Sequence, residues 1–103
     1  MRNEPRKEMI RLAAESQGHD PIAKAVTNCI EGEFVSARTL RGELEAAGYE
    51  IKETARKVLT RVEVFKDGTQ IAYAESGDAG DALLQAALAY LRSAPAPEET
   101  AAA

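Results

Sequence analysis

The sequence predicts an α+β fold, a small helical domain carrying an antiparallel β-hairpin, on three observations. Asp20-Pro21 is a helix start, because the carboxylate can accept from free helix amides and Pro21 has no amide to lose at the first helical position. The stretch VEVFKDGTQIAYAES, Val62 to Ser76, is two alternating runs joined by Lys-Asp-Gly-Thr, in which Asp-Gly supplies the turn and Val62/Val64 and Ile71/Tyr73 keep period two. DALLQAALAYLRS, from Asp81, places Leu84, Ala87, Leu88 and Leu91 at helical spacing.

The chain has 103 residues and a formal charge of -4, enough for one compact domain with a single core. Its 45% hydrophobic content is rich in alanine, with no Trp and only 5% aromatics, so the core must be small and aliphatic. The single Cys29 excludes an internal disulfide framework and points to a reducing interior. No apolar run follows the charged N-terminus, and ALLQAALAYL is short and broken by Gln85, so the expectation is a cytoplasmic protein with no membrane partner.

The elements follow in order. Residues 1–19 form an N-terminal helical segment, with Met9, Ile10 and Ala13 at helical spacing and Gln17-Gly18 as its stop. Residues 20–93 form the α+β domain. Its first helix carries Ile22, Val26, Cys29 and Ile30 on one stripe and ends at Glu31-Gly32. Ser36 caps ARTLRGELEAAG, with Ala37, Leu40, Leu44 and Ala47 inward, Arg38, Arg41, Glu43 and Glu45 outward, and Gly48 as a left-handed stop. Gly42 inside that helix costs roughly 1 kcal/mol against alanine, which suggests a close packing contact. Asp78 and Asp81 favour the start of the last helix through capping and the helix dipole. Residues 94–103, APAPEETAAA, cannot bury enough surface to offset ordering and read as a disordered tail.

Between Tyr49 and Thr60 the sequence YEIKETARKVLT admits two readings. As a helix, Ala55, Val58, Leu59 and Val62 share one face, opposite Glu53, Arg56, Lys57, Thr60 and Arg61. As strands, Tyr49 and Ile51 belong to one, while Val58, Thr60, Val62 and Val64 make the buried face of another.

With the helix, SARTLRGELEAAGYEIKETARKVLTRVEVFKDGTQIAYA, residues 36–75 in outline, resembles the winged helix-turn-helix DNA-binding family. That resemblance implies a scaffold helix with Leu40, Leu44 and Ala47, a turn at Gly48, a recognition helix from Glu53 to Arg61 and a wing tip from Lys66 to Thr69. With the strands, the order from Ser36 is α-β-β-β-α with a three-stranded antiparallel sheet, which looks like a double-stranded-RNA-binding domain in outline. That family meets phosphates with lysines at the start of its last helix, where this chain has Asp78 and Asp81, so RNA binding does not follow from the shared outline.

Catalytic chemistry finds little support. His19 beside Asp20 fits a residue ahead of a capped helix, and Cys29 on an apolar stripe fits a small core hydrophobe. No second histidine completes a Cys-His pair or a metal set, and Gly77-Asp78-Ala79-Gly80 is too short and too acidic for a phosphate loop. The expectation is a non-enzymatic protein without cofactor or metal. The feature with functional flavour is the basic set Arg38, Arg41, Lys52, Arg56, Lys57, Arg61 and Lys66, with Thr60 among them, as groups for contacting duplex DNA in a small regulatory protein. The alternative is an acidic protein-binding adaptor or inhibitor that uses no nucleic acid, or a homodimer through Leu83, Tyr90 and Leu91 of the last helix. The alanine-rich, acidic composition would suit a high-GC bacterium or its phage.

Overall fold

The computed structural model describes residues 3–16, 20–32 and 34–93. Among them, the chain runs α1 (Asn3–Ser16), α2 (Pro21–Asn28), β1 (Ile30–Glu31), β2 (Phe34–Val35), α3 (Ala37–Ala46), β3 (Tyr49–Ala55), β4 (Thr60–Lys66), β5 (Thr69–Ser76) and α4 (Ala79–Ser93). The fold is α+β: helices cover one face of a three-stranded antiparallel sheet of order β3-β4-β5, and β1 and β2 make a small hairpin of their own. His19 and the tail 94–103 lie outside the described residues.

The ambiguous segment is strand and turn. All seven residues of β3 pair with β4, from Tyr49↔Lys66 to Ala55↔Thr60, and the amide of Arg56 donates to the Leu59 carbonyl at 2.7 Å to close the turn between them. The expected helix from Glu53 to Arg61 is thereby corrected: Glu53–Ala55 end one strand, 56–59 turn, and Thr60 and Arg61 open the next. Its apolar face explains the outcome. Extended, Val62 and Val64 are 1% and 2% exposed, and every β3 residue gains ladder pairing; the cost is that Val58 and Leu59 stand in solvent at the turn.

Pairing then fixes which side faces in. Tyr49, Ile51, Val62, Val64, Ala72 and Ala74 turn toward the helices, and Lys52, Glu63 and Tyr73, which oppose one another across the three strands, turn to solvent. A register shift between Val64 and Phe65 leaves Ile71 as an extra residue on β5, so the small Ala72 and Ala74, not Tyr73, lie under α4. The hairpin turn Asp67-Gly68 takes two positive φ values, 53° and 81°, as a two-residue turn matched to strand twist requires. Gly48, at φ 96°, stops α3 as expected, its amide donating to the Glu45 carbonyl. Gly42 has no heavy atom within 4 Å of where a Cβ would sit, so the packing contact expected there is absent. The α2 stripe also ends early, at Asn28, because Ile30 and Glu31 pair with β2.

The core is aliphatic. Met9, Ile22, Val26, Cys29, Leu40, Leu44, Val62 and Val64 are its largest fully buried side chains, with Leu83, Leu84, Leu88 and Leu91 from α4. Met9 and Ala13 bring α1 into that same core. One polar junction lies between the helices: Asp20 caps α2 by accepting from the Ile22 amide at 2.8 Å, and its charge lies near the Tyr90 phenol of α4, whose pKa is raised by burial and then by Asp20. Removing that carboxylate leaves the Ile22 amide at the helix start without its acceptor. Asp20→Ala should therefore lower unfolding free energy by about 1 to 2 kcal/mol. A urea midpoint equal to that of the unaltered chain would show that the junction is not a structural tie.

Candidate interaction surfaces

The sheet end formed by the β3–β4 turn is the end from which β5 enters α4, since neighbouring strands are antiparallel. The start of α3 arrives there too: a Cβ on Gly80 would lie 3.2 Å from that of Ala37. Between the two helix starts and β3 runs a groove lined by Ala37, Arg38, Arg41, Ile51, Glu53 and Leu83. Both helix N-termini are occupied from within the chain. Ser36 Oγ accepts from the Thr39 amide, and the Asp78 carboxylate accepts from the Asp81 amide at 2.9 Å.

Of the expected nucleic-acid contacts, this end gathers Arg38, Arg41, Arg56 and Lys57. The others are scattered. Lys52 and Arg61 project from the outer sheet face, Thr60 sits half-buried at the start of β4, and Lys66 lies at the far end, where it donates to the Ala47 carbonyl and stands 4.8 Å over the Tyr49 ring. Carboxylates meet most of the guanidinium groups: Arg41 contacts Glu45 and Glu53, Arg56 lies 3.8 Å from Glu75, and Arg61 lies 3.7 Å from Glu63 while stacking on Tyr73. A phosphate would have to displace those partners.

The acidic groups are engaged as well. Asp81 accepts from Ser76 Oγ and from Gln85. Asp78 and Asp81 thus organise the start of α4. The last-helix dimer expected through Leu83, Tyr90 and Leu91 is corrected in its residues, because both leucines are core and the Tyr90 phenol faces Asp20.

Cys29 is 1% exposed. Burial pushes its thiol up to about 11, with the charges of Glu43 and Glu31 adding to the shift. Among the described residues no three His, Cys, Asp or Glu side chains converge to hold a metal ion, and no helix is long and apolar enough to cross a membrane.

The surface that sequence patterning missed is the open edge of β5. Among the described residues both β3 and β5 are edge strands. YEIKETA carries Glu50, Lys52 and Glu53, charges of the kind that discourage strand addition, whereas TQIAYAES carries only Glu75 among its eight residues. Beside β5 lies a groove of about 710 Å³ walled by Ala74, by Asp81, Gln85, Leu88, Ala89 and Arg92 of α4, and by Pro5 of α1. At its rim Arg92 binds Glu8 through Nε and Nη2, a pairing that lowers the Glu8 pKa and raises that of Arg92. The low charge of β5 was readable in the sequence; that it is an edge was not.

Comparison of the chain with protein-family models, with curated proteins and with solved structures found no match.

Two outcomes follow from the buried titratable groups. Native Cys29 should react with a disulfide thiol reagent far more slowly than the urea-unfolded chain; equal rates would place the thiol at the surface. Stability should also fall in alkali. In the unfolded chain Cys29 ionises near its ordinary 9.0, while the folded thiol holds its proton to about 11, so its contribution is complete below pH 9 and lost between 9 and 11. Tyr90, raised from 10.0 to about 12 by burial and then by Asp20, extends the loss upward. A urea midpoint independent of pH from 8 to 11 would overturn this.

Proposed function

We propose that the chain is a non-enzymatic protein-binding module that accepts a partner strand along β5 and does not use nucleic acid. The observation that carries the reading is the pairing of an open β5 edge, with Glu75 its single charge, and a groove between that edge and the exposed side of α4. An extended segment added there would form main-chain hydrogen bonds to β5 and send alternate side chains over Leu88 and Ala89. Exposed Tyr73 would flank the other side of such a segment.

Duplex DNA binding is supported less well. It would draw on Arg38, Arg41, Arg56, Lys57 and Arg61, yet three of these arginines already face carboxylates and the set spans two surfaces. Strong duplex binding needs several cations on one face, each releasing counterions from the DNA. Fluorescence anisotropy of a labelled mixed-sequence duplex, at a low and a physiological salt concentration, should therefore show no saturable binding. Saturable binding that weakens steeply with salt would overturn the protein-binding reading, and its loss in Arg38→Ala and Lys57→Ala would assign it to the end where α3 and α4 begin.

A further inference from the structure

We infer that the strand β5 accepts is that of a second copy of this chain, giving a two-fold dimer with a continuous six-stranded sheet and the two α4 helices side by side. The inference rests on the strand-docking reading above and adds the identity of the partner.

The first argument is self-registration. With the two-fold axis at Tyr73, an antiparallel β5 pair sets Ala72 opposite the second copy's Ala74 on the helix-facing side. On the outer side it sets Tyr73 opposite Tyr73, while Glu75 meets the position of Ile71, the extra residue of the register shift that packs against the core, so no like charges meet. The helix-facing pairs are alanines, small enough to leave space above the seam for helices.

The second is the height of α4 relative to β5. Ser76 Oγ donates to Asp81 at 2.6 Å, which makes those two residues level. Tyr73 lies about 10 Å back along the strand, a distance that α4 covers in roughly six or seven residues, near Leu88. A two-fold through Tyr73 therefore crosses α4 close to Leu88 and brings Asp81 to within about 4 Å of level with the second copy's Arg92, inside the reach of an arginine side chain. Arg92 commits Nε and Nη2 to Glu8, and the guanidinium has further donors for a second carboxylate. Opposite charges at the two ends of α4 favour this antiparallel arrangement over a parallel one.

The third is spacing. α4 lies over the β4–β5 pair, and strands are spaced about 4.8 Å apart, so the two α4 axes would stand about 10 Å from one another, the ordinary separation of packed helices. Gln85 and Ala89, exposed on α4 and lining the groove, would then be covered.

The test is sedimentation equilibrium across a wide concentration range, paired with amide hydrogen exchange. The unaltered chain should show a concentration-dependent mass rising from 11.1 kDa to twice that value, with exchange in residues 69–76 slowing as the dimer forms. Ala89→Glu puts a carboxylate on an exposed helix position facing the second copy. Tyr73→Lys puts two ammonium groups face to face on the axis while keeping Glu63 opposite within each sheet. Each should weaken dimerisation at least tenfold with an unchanged circular dichroism spectrum. A monomer at every concentration would overturn the second copy as occupant and leave strand docking to a different protein. A dimer that persists in both variants, or that leaves β5 exchange unaltered, would overturn this interface. Duplex binding, by contrast, tests only the reading beneath it.

Discussion

The constraint on which this structure depends is the register of β4. It is the only strand of the three-stranded sheet with a neighbour on both sides, and it contributes Val62 and Val64 to the core beneath α4. A slip of one residue would turn Arg61, Glu63 and Phe65 inward and expose both valines. The rest of the sheet is consistent with that choice. Ile51 and Ala72 lie opposite Val64 on the helix-facing side, Lys52 and Tyr73 lie opposite Glu63 on the outer side, and the Asp67-Gly68 turn closes the β4–β5 hairpin in the required register.

A core of this kind has little reserve. Alanine fills much of it, so helices approach closely and the individual contacts are small. This gives weight to the few polar ties. Asp20 caps the start of α2, Asp81 joins α4 to the end of β5, and Glu8 with Arg92 joins α1 to α4. In this acidic chain many carboxylates thus serve as caps and cross-braces, and the positive charges are partly spent in the same way. That internal use gives Arg41, Arg56, Arg61 and Arg92, and Asp78 and Asp81, partners within the chain.

What remains unspent is geometric. Antiparallel sheets with helices on one side have two edges and one bare face, and each must be protected or used. β3 is protected by alternating charges; β5 is not, and the groove next to it lies against the exposed side of a helix that is otherwise buried. The outer face, where Lys52, Arg61, Glu63, Glu75 and Tyr73 intermix, has the character of a solvated surface.

Local chemistry by itself determined much of this protein. The Asp20-Pro21 start, the Ser36 cap, the Gly48 stop, the Asp-Gly hairpin and the stripe of α4 are each set by residues a few positions apart, because caps and turns are short-range hydrogen-bond and φ requirements. Tertiary structure decided the segment from Lys52 to Thr60. Its residues satisfy helical and extended patterns about equally, and only the offer of β4 as a partner for β3, with Val62 and Val64 already committed to the core, favours strand over helix. It also decided where the cations fall. The spacing of Arg38, Arg41, Arg56 and Arg61 along the chain carries no information about the carboxylates that long-range pairing brings beside two of them, Glu53 at Arg41 and Glu75 at Arg56. The open edge was beyond reach for the same reason: a strand is an edge only by virtue of what fails to pair with it.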